Sequence, residues 1–169
     1  MMKKNLFVVA LLLVTVLLVT AMGRSPSKDS SAHAGLRTPD FTLRDISDKT
    51  FRLSTQLGRP MVIFFGTTWC PACRAEMPYF KELYDKYSAR GLKFVYIDIN
   101  ESPSRVARFA KENSFPYIVL VDTDGAVAQD YNIIGVPTMI LLDKKGFLKG
   151  VAHRVRDLPV EAIFPMGQQ

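Results

Sequence analysis

Along the chain, short and nearly unbroken apolar runs alternate with amphipathic stretches. Four runs stand out: Met61 to Phe65, Phe94 to Ile99, Ile118 to Val121 and Met139 to Leu142. Their length and their Val, Ile and Phe content suit strands buried on both faces of a sheet. Between the first two, Phe80, Leu83, Tyr84 and Tyr87 recur at helical spacing, with Lys81, Glu82, Asp85 and Lys86 on the opposite face, which predicts a helix. A second helix is predicted over Ser102 to Asn113, with Ser102 as cap, Pro103 in the first turn and Val106, Phe109 and Ala110 as the apolar stripe.

Antiparallel signals flank this core. Phe41 to Leu43 and Phe51 to Leu53 bracket a polar turn, and Met139 to Leu142 leads through Asp143-Lys144-Lys145-Gly146 into Phe147 to Val151, a hairpin pattern. The expected architecture is α/β: a mixed central sheet with helices on both faces and an N-terminal β-hairpin extension. A chain of 169 residues accommodates one such domain, with no internal repeat.

The N-terminus has a different texture. Lys3 and Lys4 precede a charge-free stretch from Asn5 to Gly23, with small residues near Ala21. That pattern fits a secretory signal or, if uncleaved, a membrane anchor over residues 1–23, and either places the remainder of the chain outside the cytoplasm. Residues 24–35, polar and rich in Ser, read as a flexible tether, leaving 36–169 as the folded domain. Two of the charges behind the formal net charge of +6 are Lys3 and Lys4, and no dense Lys/Arg stripe with interleaved aromatics points to nucleic acid.

The chain's two cysteines, Cys70 and Cys73, lie two residues apart in GTTWCPACRAEMP. A disulfide closing so small a ring removes little unfolded-state entropy and makes a poor staple. Zinc would need four ligands, and only His33 and His153 could join the pair; covalent haem attachment would need a histidine where Arg74 stands. A reversible dithiol, requiring no cofactor beyond the Cys70–Cys73 disulfide and no metal, is the reading that remains. Cys70 stands where a predicted strand ends and a helix begins, so its sulfur meets unpaired N–H groups that favour negative charge. Cys73, one turn on and more enclosed, is placed to resolve a mixed disulfide formed at Cys70.

With these residues in view, FFGTTWCPACRAEMP, the Ile134-Gly135-Val136-Pro137-Thr138 segment, the Pro39 to Leu43 entry and the Asp122-Thr123-Asp124-Gly125 turn together resemble the thioredoxin superfamily, in its exported ResA/TlpA/CcmG-like branch. The resemblance spans Leu36 to the C-terminus. It implies a thioredoxin-like fold, a cis bond at Val136-Pro137, and Trp69, Pro71, Val136 and Pro137 as positions that meet the client. It also implies a proton-handling role for Glu76, three residues beyond Cys73, whose plainer reading is a solvated helix charge. Cytosolic thioredoxins carry a buried acid where this chain has Phe64, which leaves that task to Glu76, alone or with water. Pro78 is expected to kink the helix just after the dithiol. His153 reads as a surface residue.

The implied activity is thiol-disulfide exchange, in the reducing direction, on exported proteins including apocytochrome c, with electrons from a membrane thiol carrier. Two other classes stand beside it. A peroxiredoxin-like peroxidase would use Thr67, three residues before Cys70, but Ile63 stands where that family has proline. A Sco-like copper chaperone would need His153 close to the two sulfurs, and its wider cysteine spacing is absent.

Overall fold

The computed structural model describes residues 35–164, so the segment expected as signal or anchor, nearly all of the tether and the last five residues lie outside it. Each of the four apolar runs forms a strand: β3 (Met61–Gly66), β4 (Lys93–Ile99), β5 (Ile118–Asp122) and β6 (Thr138–Leu142). The hairpin signals form β1 (Thr42–Asp45) with β2 (Thr50–Arg52), and β7 (Leu148–Ala152) against β6. Leu53, expected at the end of β2, instead begins a 3-10 turn.

The seven strands pair in the order β2-β1-β5-β4-β3-β6-β7. β3, β4 and β5 run parallel, while β1, β6 and β7 pair antiparallel to their neighbours, so the sheet is mixed as expected. Side chains alternate across it. Val62, Phe64, Phe94, Tyr96, Val119, Val121, Met139 and Leu141 face one core, and Met61, Ile63, Phe65, Val95, Ile97, Leu120, Ile140 and Leu142 face the other.

Helices α1 (Pro71–Tyr87) and α2 (Pro103–Glu112) cover the first face, through Cys73, Met77, Phe80 and Tyr87 from α1 and Val106, Phe109 and Ala110 from α2. The short α3 (Ala126–Asp130) and the β1–β2 hairpin cover the second with Val127, Ala128, Phe41 and Phe51. Ser102 does occupy the cap position of α2, but its hydroxyl lies 3.4 Å from Ser104 Oγ and makes no capping bond. α1 runs through Pro78 as one helix. Burial of Met77 and Phe80 on either side of the proline holds the helix to the sheet despite the missing donor.

Candidate active site

β3 delivers the chain to the site. At its end, Gly66 packs under the Tyr96 ring, where a Cβ would lie 2.8 Å from the Tyr96 hydroxyl, so only glycine lets β3 and that tyrosine approach so closely. The next residues, Thr67 and Thr68, are buried, and Trp69 swings out to 64% exposure.

Two charged groups fix this loop. Thr68 donates its backbone N–H to Glu101 Oε1 at 2.6 Å and its hydroxyl to Glu101 Oε2 at 2.7 Å. From the other side, the Arg74 guanidinium donates twice to the Thr68 carbonyl, at 2.9 and 2.7 Å, and lies over the Phe109 ring. Charge-assisted bonds on both sides of one residue pin the entry to α1.

Cys70 is the N-cap of α1, with Pro71 at the first helical position. Its Sγ accepts the Cys73 backbone N–H at 3.1 Å, one of the donors a helix start leaves free. Cys70 Sγ also lies 3.8 Å from the Val136 carbonyl oxygen, and Val136-Pro137 is a cis peptide. Both cysteines are free thiols in this structure, Cys70 5% exposed and Cys73 fully enclosed. Burial, then the hydrogen bond with Cys70, pushes the Cys73 thiol up to about 12, partly offset by a hydrogen bond from the Thr67 backbone. One sulfur is thus presented at a helix start and the other is held protonated beneath it.

The structure therefore brings Trp69, Cys70, Pro71, Cys73, Val136 and Pro137 to one locus. Glu76 has a different engagement: half-buried, its Oε2 accepts the Val155 backbone N–H at 2.8 Å. His153 is exposed, as expected, yet it is also part of the surroundings. Its Nδ1 lies 2.9 Å from the Pro137 carbonyl and 3.2 Å from Thr138 Oγ1. The Thr138 hydroxyl already donates to Gly135 O at 2.6 Å, so both neighbours act as acceptors and Nδ1 carries the proton.

Some residues of the site escaped the sequence reading: Thr68, Arg74 in its bonding role, and the buried acids Asp98 and Glu101 as a pair. Asp98 had a signal, a carboxyl inside an otherwise apolar run; Glu101, in the loop after β4, had none. Thr67, weighed as a peroxidase residue, has a buried hydroxyl with no partner. No group of three or more His, Cys, Asp or Glu side chains able to hold a metal occurs among the described residues.

Residues 34–151 match the AhpC/TSA family. The chain is 34% identical over 120 residues to the thiol-disulfide oxidoreductase ResA of Bacillus cereus, covering 71% of this chain and 69% of that protein. It is 29% identical over 147 residues to ResA of Bacillus subtilis, covering 85% and 82%. Among solved structures, a thiol:disulfide interchange protein of the thioredoxin family from Chlorobium tepidum superposes with a TM-score of 0.63 at 28% identity, over 70% of this chain and 85% of that one.

Proposed function

The chain belongs to the thioredoxin-like AhpC/TSA family and is a thiol-disulfide oxidoreductase of the ResA type, and on that premise we propose that it reduces disulfides of exported proteins with Cys70 as nucleophile and Cys73 as resolving thiol. The observation that carries this division is the placement of the two sulfurs: Cys70 Sγ at the helix N-cap, accepting the Cys73 N–H, with Cys73 fully enclosed behind it. A client disulfide reaches Cys70 first. Its sulfur bonds to Cys70, and the enclosed Cys73 then displaces the client and closes the Cys70–Cys73 disulfide.

An extended client segment would lie along Val136, whose carbonyl already stands beside Cys70 Sγ, with exposed Trp69 and Pro71 next to Cys70 in the chain. The location outside the cytoplasm rests on the apolar leader of residues 5–23, and no helix among the described residues is long and apolar enough to cross a membrane. Apocytochrome c thiols as clients and a membrane thiol carrier as electron source complete the proposal.

The experiment is trapping. Cys73→Ser should accumulate client adducts that dithiothreitol releases, and Cys70→Ser should accumulate none; the reverse pattern would exchange the roles. Insulin reduction by the parent supports exchange, whereas peroxide consumption without a disulfide client would replace it with a peroxidase.

A further inference from the structure

The ladder between β6 and β7 stops short of the proline loop, and a histidine ring takes over from it. The last antiparallel pair is Met139 with Ala152, so the next positions to face each other are Thr138 and His153, then Pro137 and Arg154. Pro137 has no N–H to give to a neighbouring strand, and a ladder loses its donor there. Two side-chain bonds stand in its place. Thr138 Oγ1 donates to the Gly135 carbonyl at 2.6 Å, and His153 Nδ1 donates to the Pro137 carbonyl at 2.9 Å, with Thr138 Oγ1 as a second acceptor at 3.2 Å. Together they close on both sides of Val136-Pro137.

The segment held in this way is the one that faces the nucleophile, since the Val136 carbonyl oxygen lies 3.8 Å from Cys70 Sγ. Packing alone does little to fix the chain just before it. Ile134 is fully exposed, and a Cβ placed on Gly135 would meet nothing within 4 Å. His153 is itself exposed and belongs to neither apolar cluster, so the ring is not there to fill the core. What it supplies is a donor at a fixed distance from the end of β7. The bond to a carbonyl also sets the tautomer: with the proton on Nδ1, Nε2 is left as an acceptor that no described residue engages.

We propose that His153 is a positioning residue for client reduction, its Nδ1–H holding the Pro137 carbonyl so that Val136 presents its backbone to an extended client beside Cys70. It acts through the loop and not on the sulfurs. A polypeptide disulfide depends on this edge because its own backbone pairs there, whereas a small disulfide without peptide groups has nothing to pair. The role rests on client attack at Cys70 as proposed above, and the experiment keeps the two apart.

The reduced full-length chain is reacted in single turnovers with insulin, a polypeptide disulfide, and with Ellman's reagent, a small aromatic one. In His153→Ala the ratio of the insulin rate constant to the Ellman's rate constant should fall roughly threefold to tenfold, the range of one hydrogen bond, chiefly through a higher half-saturating insulin concentration. His153→Asn, whose amide N–H stands as many bonds from the backbone as Nδ1, should restore the ratio, and His153→Gln, whose amide matches Nε2, should not. A ring that merely stabilised the fold would slow both reactions alike, so an unchanged ratio in His153→Ala overturns the proposal. Restoration by glutamine instead of asparagine overturns it as well, because the client would then be met by Nε2. A parent that reacts with Ellman's reagent but leaves insulin intact overturns the client reading, and this role with it. The chain holds one other histidine, His33, so nitrogen-15 NMR of the parent has two rings to assign and depends on no variant that folds. Neutral His153 should carry its proton on Nδ1, and a proton on Nε2 overturns the proposal.

Discussion

At the scale of single residues, the full enclosure of Asp98 is a liability to the fold. Its carboxyl titrates near 3.8 when solvated and at about 8 in place. Below the lower value both folded and unfolded chains hold the proton, and Asp98 imposes no penalty. Between the two, the unfolded chain ionises while the folded one does not, so stability falls as pH rises, by about 1.4 kcal/mol per unit, and the loss is complete above about 8. Asp98→Asn removes this slope while keeping an N–H to offer Glu101. Urea denaturation should find the variant equal to the parent near pH 4 and more stable by roughly 2–5 kcal/mol at pH 8.5. A gap that narrows with rising pH would contradict the burial account. The enclosed Cys73 acts in the same direction, since its thiol moves from 9.0 to about 12, but only at higher pH.

At the scale of elements, the site is made by the junction of β3 and α1, and the features legible there in the sequence differ in kind from those that were not. The strand-then-CxxC pattern placed Cys70 at a helix start, and the apolar runs placed the strands β3, β4, β5 and β6, because local periodicity and spacing determine those features. Depth and cross-chain partners are not local. Asp98 passed for one polar member of an apolar strand, and nothing near Glu101 in the chain shows that it holds Thr68, 33 residues away. Gly66 is the element-level test. Alanine there would put a Cβ 2.8 Å from the Tyr96 hydroxyl and 3.0 Å from Phe64 Cε1, in a layer where Phe64, Tyr96 and Phe115 rings already pack 5.4–5.5 Å apart. Gly66→Ala should lower stability by about 1–3 kcal/mol. It should also move the Asp98 titration upward, since a displaced Tyr96 no longer donates to the charged carboxyl. Calorimetry and the infrared titration of the buried carboxyl measure the two effects separately.

Across the whole molecule, the first core is closed by the chain after β7: Val155, Leu158 and Val160 pack into the cluster that contains both cysteines, Phe80 and Tyr96. One polar contact ties that segment to the dithiol helix, the Val155 N–H donating to Glu76 Oε2 at 2.8 Å. The same segment begins two residues after His153, whose Nδ1 holds the Pro137 carbonyl. Glu76 is thus a strut between the helix bearing the cysteines and the strand exit that supports the proline loop. Glu76→Ala strands a half-buried N–H, and Glu76→Gln keeps an acceptor there while losing the charge. The alanine variant should lose roughly 1–3 kcal/mol and the glutamine variant about half of that or less. Hydrogen exchange at the Val155 amide should quicken in the same order, alanine before glutamine before parent, because the amide is then protected by packing alone. If Glu76 instead served Cys73 directly, Glu76→Gln would shift the pH dependence of disulfide exchange and leave Val155 exchange unchanged, the opposite of the pattern this bond predicts.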